Sequence, residues 1–184
     1  FVPFFFFFRA DKARIQEFKK ALRETGVKLS SILPVFRWSS PIEAEREAAM
    51  RYWKRTIEIA VELECPVINT EFARGAAPQG CHHCPSGPAG AESSEGAFWK
   101  SMEEILPIFE KEGLMLHLEP HPDDFIEDGN AGVDMVRAID RPFVKYLYCA
   151  PHTYHMGGQM TEMIHYAAPL LAHVMGGRMW TVVA

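Results

Sequence analysis

Short apolar runs that stop abruptly on a polar or catalytic-type residue, each separated from the next by a stretch with helical spacing, constrain this chain most. The runs end at Phe36, Glu71, Glu119, Cys149 and about Val174, which lie 35, 48, 30 and 25 residues apart. Nearly all-apolar strands alternating with helices imply parallel βαβ units and an α/β class. A spacing near the ~31 residues per unit of a TIM-type (β/α) barrel favours that architecture over a doubly wound sheet. Two features agree with it: no GxGxxG follows the first strand, and polar residues gather at strand C-terminal ends, where barrel active sites lie.

Phe4 to Phe8 has the length and composition of a buried strand, and Ala10 to Glu24 is helical through Ile15, Phe18 and Leu22, with Gly26 as its stop. Val27 to Phe36 reads as a second buried strand broken by Pro34, with Arg37 and Trp38 just past its end. Ser40-Pro41-Ile42-Glu43 predicts a helix start, with Ser40 as cap, Pro41 in the first position and Glu43 closing a capping box. That helix carries Ala49, Trp53, Ile57 and Ala60 to about Leu63, and Cys65 to Glu71 reads as strand then loop. Residues 73–96 turn rich in Gly, Ala, Pro and Ser, an unusually long connection with Cys81-His82-His83-Cys84 inside it. Phe98 to Phe109 then marks a helix, Leu114 to Leu118 a strand, Val133 to Ile139 a short helix and Phe143 to Tyr148 a strand. Met160 to Pro169 closes the series as a helix before Leu170 to Met175.

At ~31 residues per unit, 184 residues supply about six of eight units. The expectation is therefore one incomplete barrel domain over residues 1–184, lacking one unit at the front and one or two at the back. Such an open barrel exposes two strand edges, so self-association into a homo-oligomer is expected. With 48% apolar and 23% charged residues the chain can bury a core. Its net charge of −5 argues against nucleic acid as a partner. No apolar run approaches the ~20 residues that span a bilayer, and no secretory signal is recognisable. Four unevenly spaced cysteines suit a reducing compartment, so the expected location is cytoplasmic.

Glu119 follows five core-type residues and precedes Pro120-His121-Pro122, which predicts a carboxylate at the barrel mouth with His121 beside it. The plainer alternative is a strand-end Glu paired with a nearby Lys or Arg. Cys149, His152 and His155 offer a thiol and two imidazoles within seven residues of a strand end, a density typical of metal or acid/base sites. Alone, Cys149 reads equally as a small buried hydrophobe and His155 as a loop residue in solvent. Glu71 is either a second mouth carboxylate, able to share base duty or hold a substrate hydroxyl, or a capping or salt-bridge residue. Arg37, Trp38, Glu71, His121 and His155 are the candidate substrate contacts. Cys81 to Cys84 has zinc-knuckle spacing but lacks a second CxxC or HxxxH, leaving zinc or a spare thiol pair open. His117 and His165 lie on apolar stretches and read as core residues.

Glu71, Leu118-Glu119-Pro120-His121-Pro122 and the segment Tyr146 to His155, set on this alternation, resemble the sugar phosphate isomerase/epimerase family with its xylose isomerase-like barrel. The likeness runs from about Ala10 to His173, with Leu29 to Glu71 resembling the third strand, third helix and fourth strand. The resemblance implies one divalent ion held by Glu, Asp, His and Glu at the ends of strands five to eight. Glu119 takes the first of these positions and Cys149 that of the usual Asp, with the His three residues on matched by His152. Met175 stands where the next strand's ligand is usual. A thiolate in place of a carboxylate favours a softer ion, so zinc comes before manganese, cobalt or magnesium.

The function implied is a metal-dependent isomerase or epimerase of a sugar or polyol. Glu119, Cys149 and His152 would hold the ion, and Glu119 and His152 would act in proton transfer through an enediolate. A lyase or dehydratase on a keto-sugar or keto-inositol would use the same proton abstraction. From other classes come a non-catalytic zinc-loop binding module centred on Cys81 to Cys84 and an inactive fragment.

Overall fold

The computed structural model describes residues 10–72, 88–155, 157 and 159–176. The expected strand at Phe4 to Phe8 and the Cys81 to Cys84 motif lie outside the described residues. Helix α1 (Lys12–Thr25) starts on Asp11, whose carboxylate accepts the Arg14 amide at 2.8 Å, and stops at Gly26, which takes φ 69°. Helix α2 (Glu43–Glu62) leads into strand β1 (Val67–Glu71), and helix α3 (Pro88–Glu112) into strand β2 (Met115–Glu119). Helix α4 (Gly129–Ile139) precedes strand β3 (Val144–Cys149), which runs directly into the short helix α5 (Ala150–His155). Helix α6 (Met160–Ala167) and strand β4 (Leu171–Met175) complete the series.

The four strands form one parallel sheet in the order β1-β2-β3-β4, as a run of βαβ units requires. Because side chains alternate along a strand, one face carries Ile68, Leu116, Leu118, Val144, Tyr146 and Tyr148, all part of the core packed against the helices. The other face carries Asn69 and Glu71 on β1, His117 and Glu119 on β2, and Leu147 and Cys149 on β3. The register sets Glu71 directly opposite Glu119. Between α2, α3 and β1 an aromatic cluster fills the core, with Trp38 at 4.8 Å from Trp53 and 5.3 Å from Phe98 between ring centroids.

Three local expectations are corrected. Residues 27–36 do not form a buried strand: Ile32 alone makes a parallel bridge, to Ile68, while Val27 and Val35 are exposed. Pro34 lacks the amide that a continuing ladder would need. The capping box at Ser40 does not form; the helix begins at Glu43 without a side-chain cap, because the Ser40 hydroxyl donates to the Glu45 carboxylate at 2.9 Å and accepts the Ile42 amide at 3.2 Å. The stretch expected to be loop to residue 96 already turns helical at Pro88, a residue suited to the first helical position. Among the described residues no helix is long and apolar enough to cross a membrane.

Candidate active site

The sheet delivers its chemistry at the C-terminal ends of β1, β2 and β3. Glu119 is the last residue of β2 and only 2% exposed. Cys149 is the last residue of β3 and buried, and α5 turns the chain back so that His152 faces Glu119. The ligand atoms of Glu119, Cys149 and His152 all lie within 4.8 Å of one another. Nδ1 of His152 comes to 2.8 Å from Oε1 of Glu119, yet this buried nitrogen has no hydrogen-bond partner in suitable alignment. The Cys149 thiol, then the Glu119 carboxylate, favour the charged ring and push the His152 pKa up to about 10.

These residues fit a metal ion. A carboxylate, a thiol and an imidazole converge in a buried place. Among the described residues no Lys or Arg neutralises Glu119, and the orphaned Nδ1 points where a ligand atom would. Oxygen, sulfur and nitrogen donors together suit zinc chemistry. With an ion bound, the thiol and the ring must give up their protons.

A second group sits beside it. Glu71 ends β1, and its carboxylate lies 3.8 Å from Nε2 of His121, whose ring meets His152 edge-on at 4.2 Å between centroids. His121 Nδ1 donates to the Pro122 carbonyl at 2.7 Å, which turns Nε2 toward Glu71. Burial pushes the Glu71 carboxyl above its ordinary range; His121 opposes this and Glu119 adds to it. Asp124, buried and within 4.8 Å of the same two side chains, was not singled out by the sequence reading. Its signal is the acidic pair Asp123-Asp124 closing the turn after Pro122.

Of the other sequence candidates, Trp38 does not face a ligand. It is wholly buried, and its indole N–H donates to the Glu71 carbonyl at 3.1 Å. The neighbouring Ser39 hydroxyl donates to the Phe72 carbonyl at 2.9 Å, so the two residues hold the β1 exit from behind. Arg37 turns away to Glu45 at 3.5 Å. His155 is the last residue of α5, and its side chain lies outside the described ones. His117 is buried as expected, but its Nδ1 has no partner, and burial lowers its pKa to about 4. His165 is exposed, contrary to its reading as core, because it lies on the outer side of α6. Met175, at the end of β4, is only half-buried.

The sequence model of the xylose isomerase-like TIM barrel matches residues 2–176. The chain belongs to that family. This xylose isomerase-like chain superposes on the apo form of 3-keto-D-glucoside 4-epimerase from E. coli with a TM-score of 0.76 at 19% identity, covering 88% of this chain and 63% of that one. D-psicose 3-epimerase, solved in the presence of D-fructose, gives a TM-score of 0.76 at 19% identity, with 93% and 60% covered. A xylose isomerase-like TIM barrel protein from Mycobacterium smegmatis in complex with magnesium gives 0.66 at 20% identity, with 89% and 55% covered. At such identities the likeness is one of fold, and the chain spans about 55–63% of the length of these structures. No curated protein matches the chain.

Proposed function

We propose that this chain carries the core of a metal-dependent isomerase or epimerase acting on a sugar or polyol with a hydroxyl next to a carbonyl. The observation that carries the reading is the juxtaposition, at adjacent parallel strand ends, of the Glu119, Cys149, His152 donor set and the Glu71–His121 pair. The epimerase activities of the two solved relatives above agree with it.

Glu119, Cys149 and His152 would hold a divalent ion. When bound, the ion polarises the substrate carbonyl and makes the neighbouring C–H more acidic. Glu71 is suited to move that proton, since its raised pKa brings it nearer neutrality than an ordinary carboxylate. His121 Nε2, 3.8 Å from the Glu71 carboxylate, would exchange that proton with it only through a bridging water or substrate hydroxyl. Trp38 and Ser39 act behind the strand end, fixing the backbone from which Glu71 projects.

The test is hydrogen exchange: a ketohexose is incubated with the zinc-loaded chain in heavy water and the carbinol C–H beside the carbonyl is followed by NMR. The reading predicts loss of that signal, slowed at least about a hundred-fold by Glu71→Gln. No exchange in the wild type, or exchange indifferent to both Glu71→Gln and Glu119→Gln, contradicts it.

A further inference from the structure

Past Ile32 the chain leaves the ladder beside β1, and side chains do there what backbone pairs do elsewhere. Thr70 donates its hydroxyl to the Pro34 carbonyl at 2.9 Å, Trp38 its indole N–H to the Glu71 carbonyl at 3.1 Å, and Ser39 its hydroxyl to the Phe72 carbonyl at 2.9 Å. The end of β1 is thus clasped from this side by Trp38 and Ser39. The clasp is itself held from further back. The Trp38 carbonyl accepts the Ser101 hydroxyl at 2.7 Å, and the Ser101 oxygen accepts Nη1 of Arg46 at 3.3 Å. Glu43 and Glu104 fix that guanidinium at 2.9 and 2.7 Å.

Arg46 on α2, Ser101 on α3 and Trp38 are 3%, 0% and 0% exposed, so these bonds are shut off from water. Their direction is fixed as well. Arginine has no acceptor, so the Ser101 oxygen accepts from Arg46 and commits its one proton to Trp38. Packing alone would favour Ala at 101, the better helix former, and an apolar residue at 46, because a buried ion pair gains little over well-packed apolar side chains.

We propose that Ser101 and Arg46 are positioning residues for Glu71, acting through Trp38 to keep the end of β1 in place against Glu119 at the end of β2. The inference rests on the function proposed above, in which Glu71 moves the proton, and extends it to two residues on the helices behind the strand. The Glu71 carboxylate stands 3.8 Å from Nε2 of His121, a gap for one bridging water or hydroxyl. A misplacement of about 1 Å in such a geometry costs up to about a hundred-fold in rate.

The heavy-water exchange assay is run on the zinc-loaded chain over a range of ketohexose concentrations. Indole N–H signals are followed by NMR on isotope-labelled samples of the same variants, with Trp38→Phe identifying the Trp38 resonance. Ser101→Ala lowers kcat at least about ten-fold while KM and ion content stay within about two-fold, and it speeds hydrogen exchange at the Trp38 indole. Arg46→Lys keeps the charge but loses the planar fork; it lowers kcat by about three-fold and carries the test if Ser101→Ala does not fold. Ile57→Val, a core truncation on α2 outside this chain of bonds, leaves kcat unchanged. Wild-type kcat in folded Ser101→Ala or Arg46→Lys, or kcat lost while the Trp38 indole stays as protected as before, overturns the inference and leaves the proposed function standing. An ion-loaded wild type that exchanges no hydrogen overturns both.

Discussion

The sheet is not one environment. Among the described residues, most of strands β1, β2 and β3 is buried, whereas β4 alternates between half-buried and exposed positions and leaves Val174 at 58% exposure. The reactive groups follow the same division. Glu71, Glu119 and Cys149 end the three covered strands, and Met175 ends the uncovered one. Burial is what gives the first region its chemistry: it raises the Glu71 carboxyl, and it brings His152 Nδ1 to 2.8 Å from the Glu119 carboxylate in a place shut off from the surface. A group at the end of β4 would meet solvent, which would screen such effects.

The contrast breaks most readily through stability. Leu118→Ala, in the covered region, is expected to cost about 2–5 kcal/mol, and Val174→Ala on β4 less than about 0.5 kcal/mol, both read from urea unfolding midpoints. Equal losses would mean that β4 is as well packed as its neighbours. Next in size is Glu119→Gln, expected to weaken ion binding by at least about a hundred-fold, or ~2.7 kcal/mol. A competition titration against a metal indicator dye reads this, and Met175→Ala in the same titration should leave the affinity unchanged.

Gly132 sharpens the comparison from behind the site. A Cβ there would collide with Cγ of Pro120, the residue after Glu119. Gly132→Val should cost about 1–3 kcal/mol and lower ion affinity as well, because the helix can move only by displacing the β2 exit. Stability lost with ion affinity intact would separate helix packing from the site.

The smallest expected effect is on acid stability. Arg46, 3% exposed and bonded to Glu43, Glu104 and Ser101, locks α2 to α3. Arg46 first, then Lys100, holds the Glu43 carboxyl at about 2 instead of 4.5. A carboxyl depressed in the folded state stabilises above its ordinary value and loses that contribution as pH falls from 4.5 toward 2. Unfolding midpoints of wild type and Glu43→Gln should therefore converge across that window; a constant gap between them would remove Glu43 from the lock.

The parallel alternation and the strand exits at Glu71, Glu119 and Cys149 were legible in the sequence, because apolar runs and the residues that end them are local patterns; the grouping of Glu119 with Cys149 and His152 came from the family resemblance, since no local pattern links two strand ends. Trp38 was misread as a substrate contact because its burial depends on Trp53 and Phe98, which arrive from two different helices. The segment 27–36 has strand composition, yet a strand needs neighbours on its ladder, and only Ile32 finds one. The capping box failed because Glu45, in the first turn of the helix, took the Ser40 hydroxyl. Asp124 escaped because a loop carries no period, so only the folded chain shows it beside Glu71 and His121.

The central claim is that Glu119, Cys149 and His152 share one ion, and cobalt(II) reports on it directly. Loading the chain with cobalt and recording its absorption spectrum should show a thiolate-to-cobalt charge-transfer band at one ion per chain, absent in Cys149→Ser and in Glu119→Gln. A chain that binds no cobalt, or whose band survives Cys149→Ser, would contradict the account.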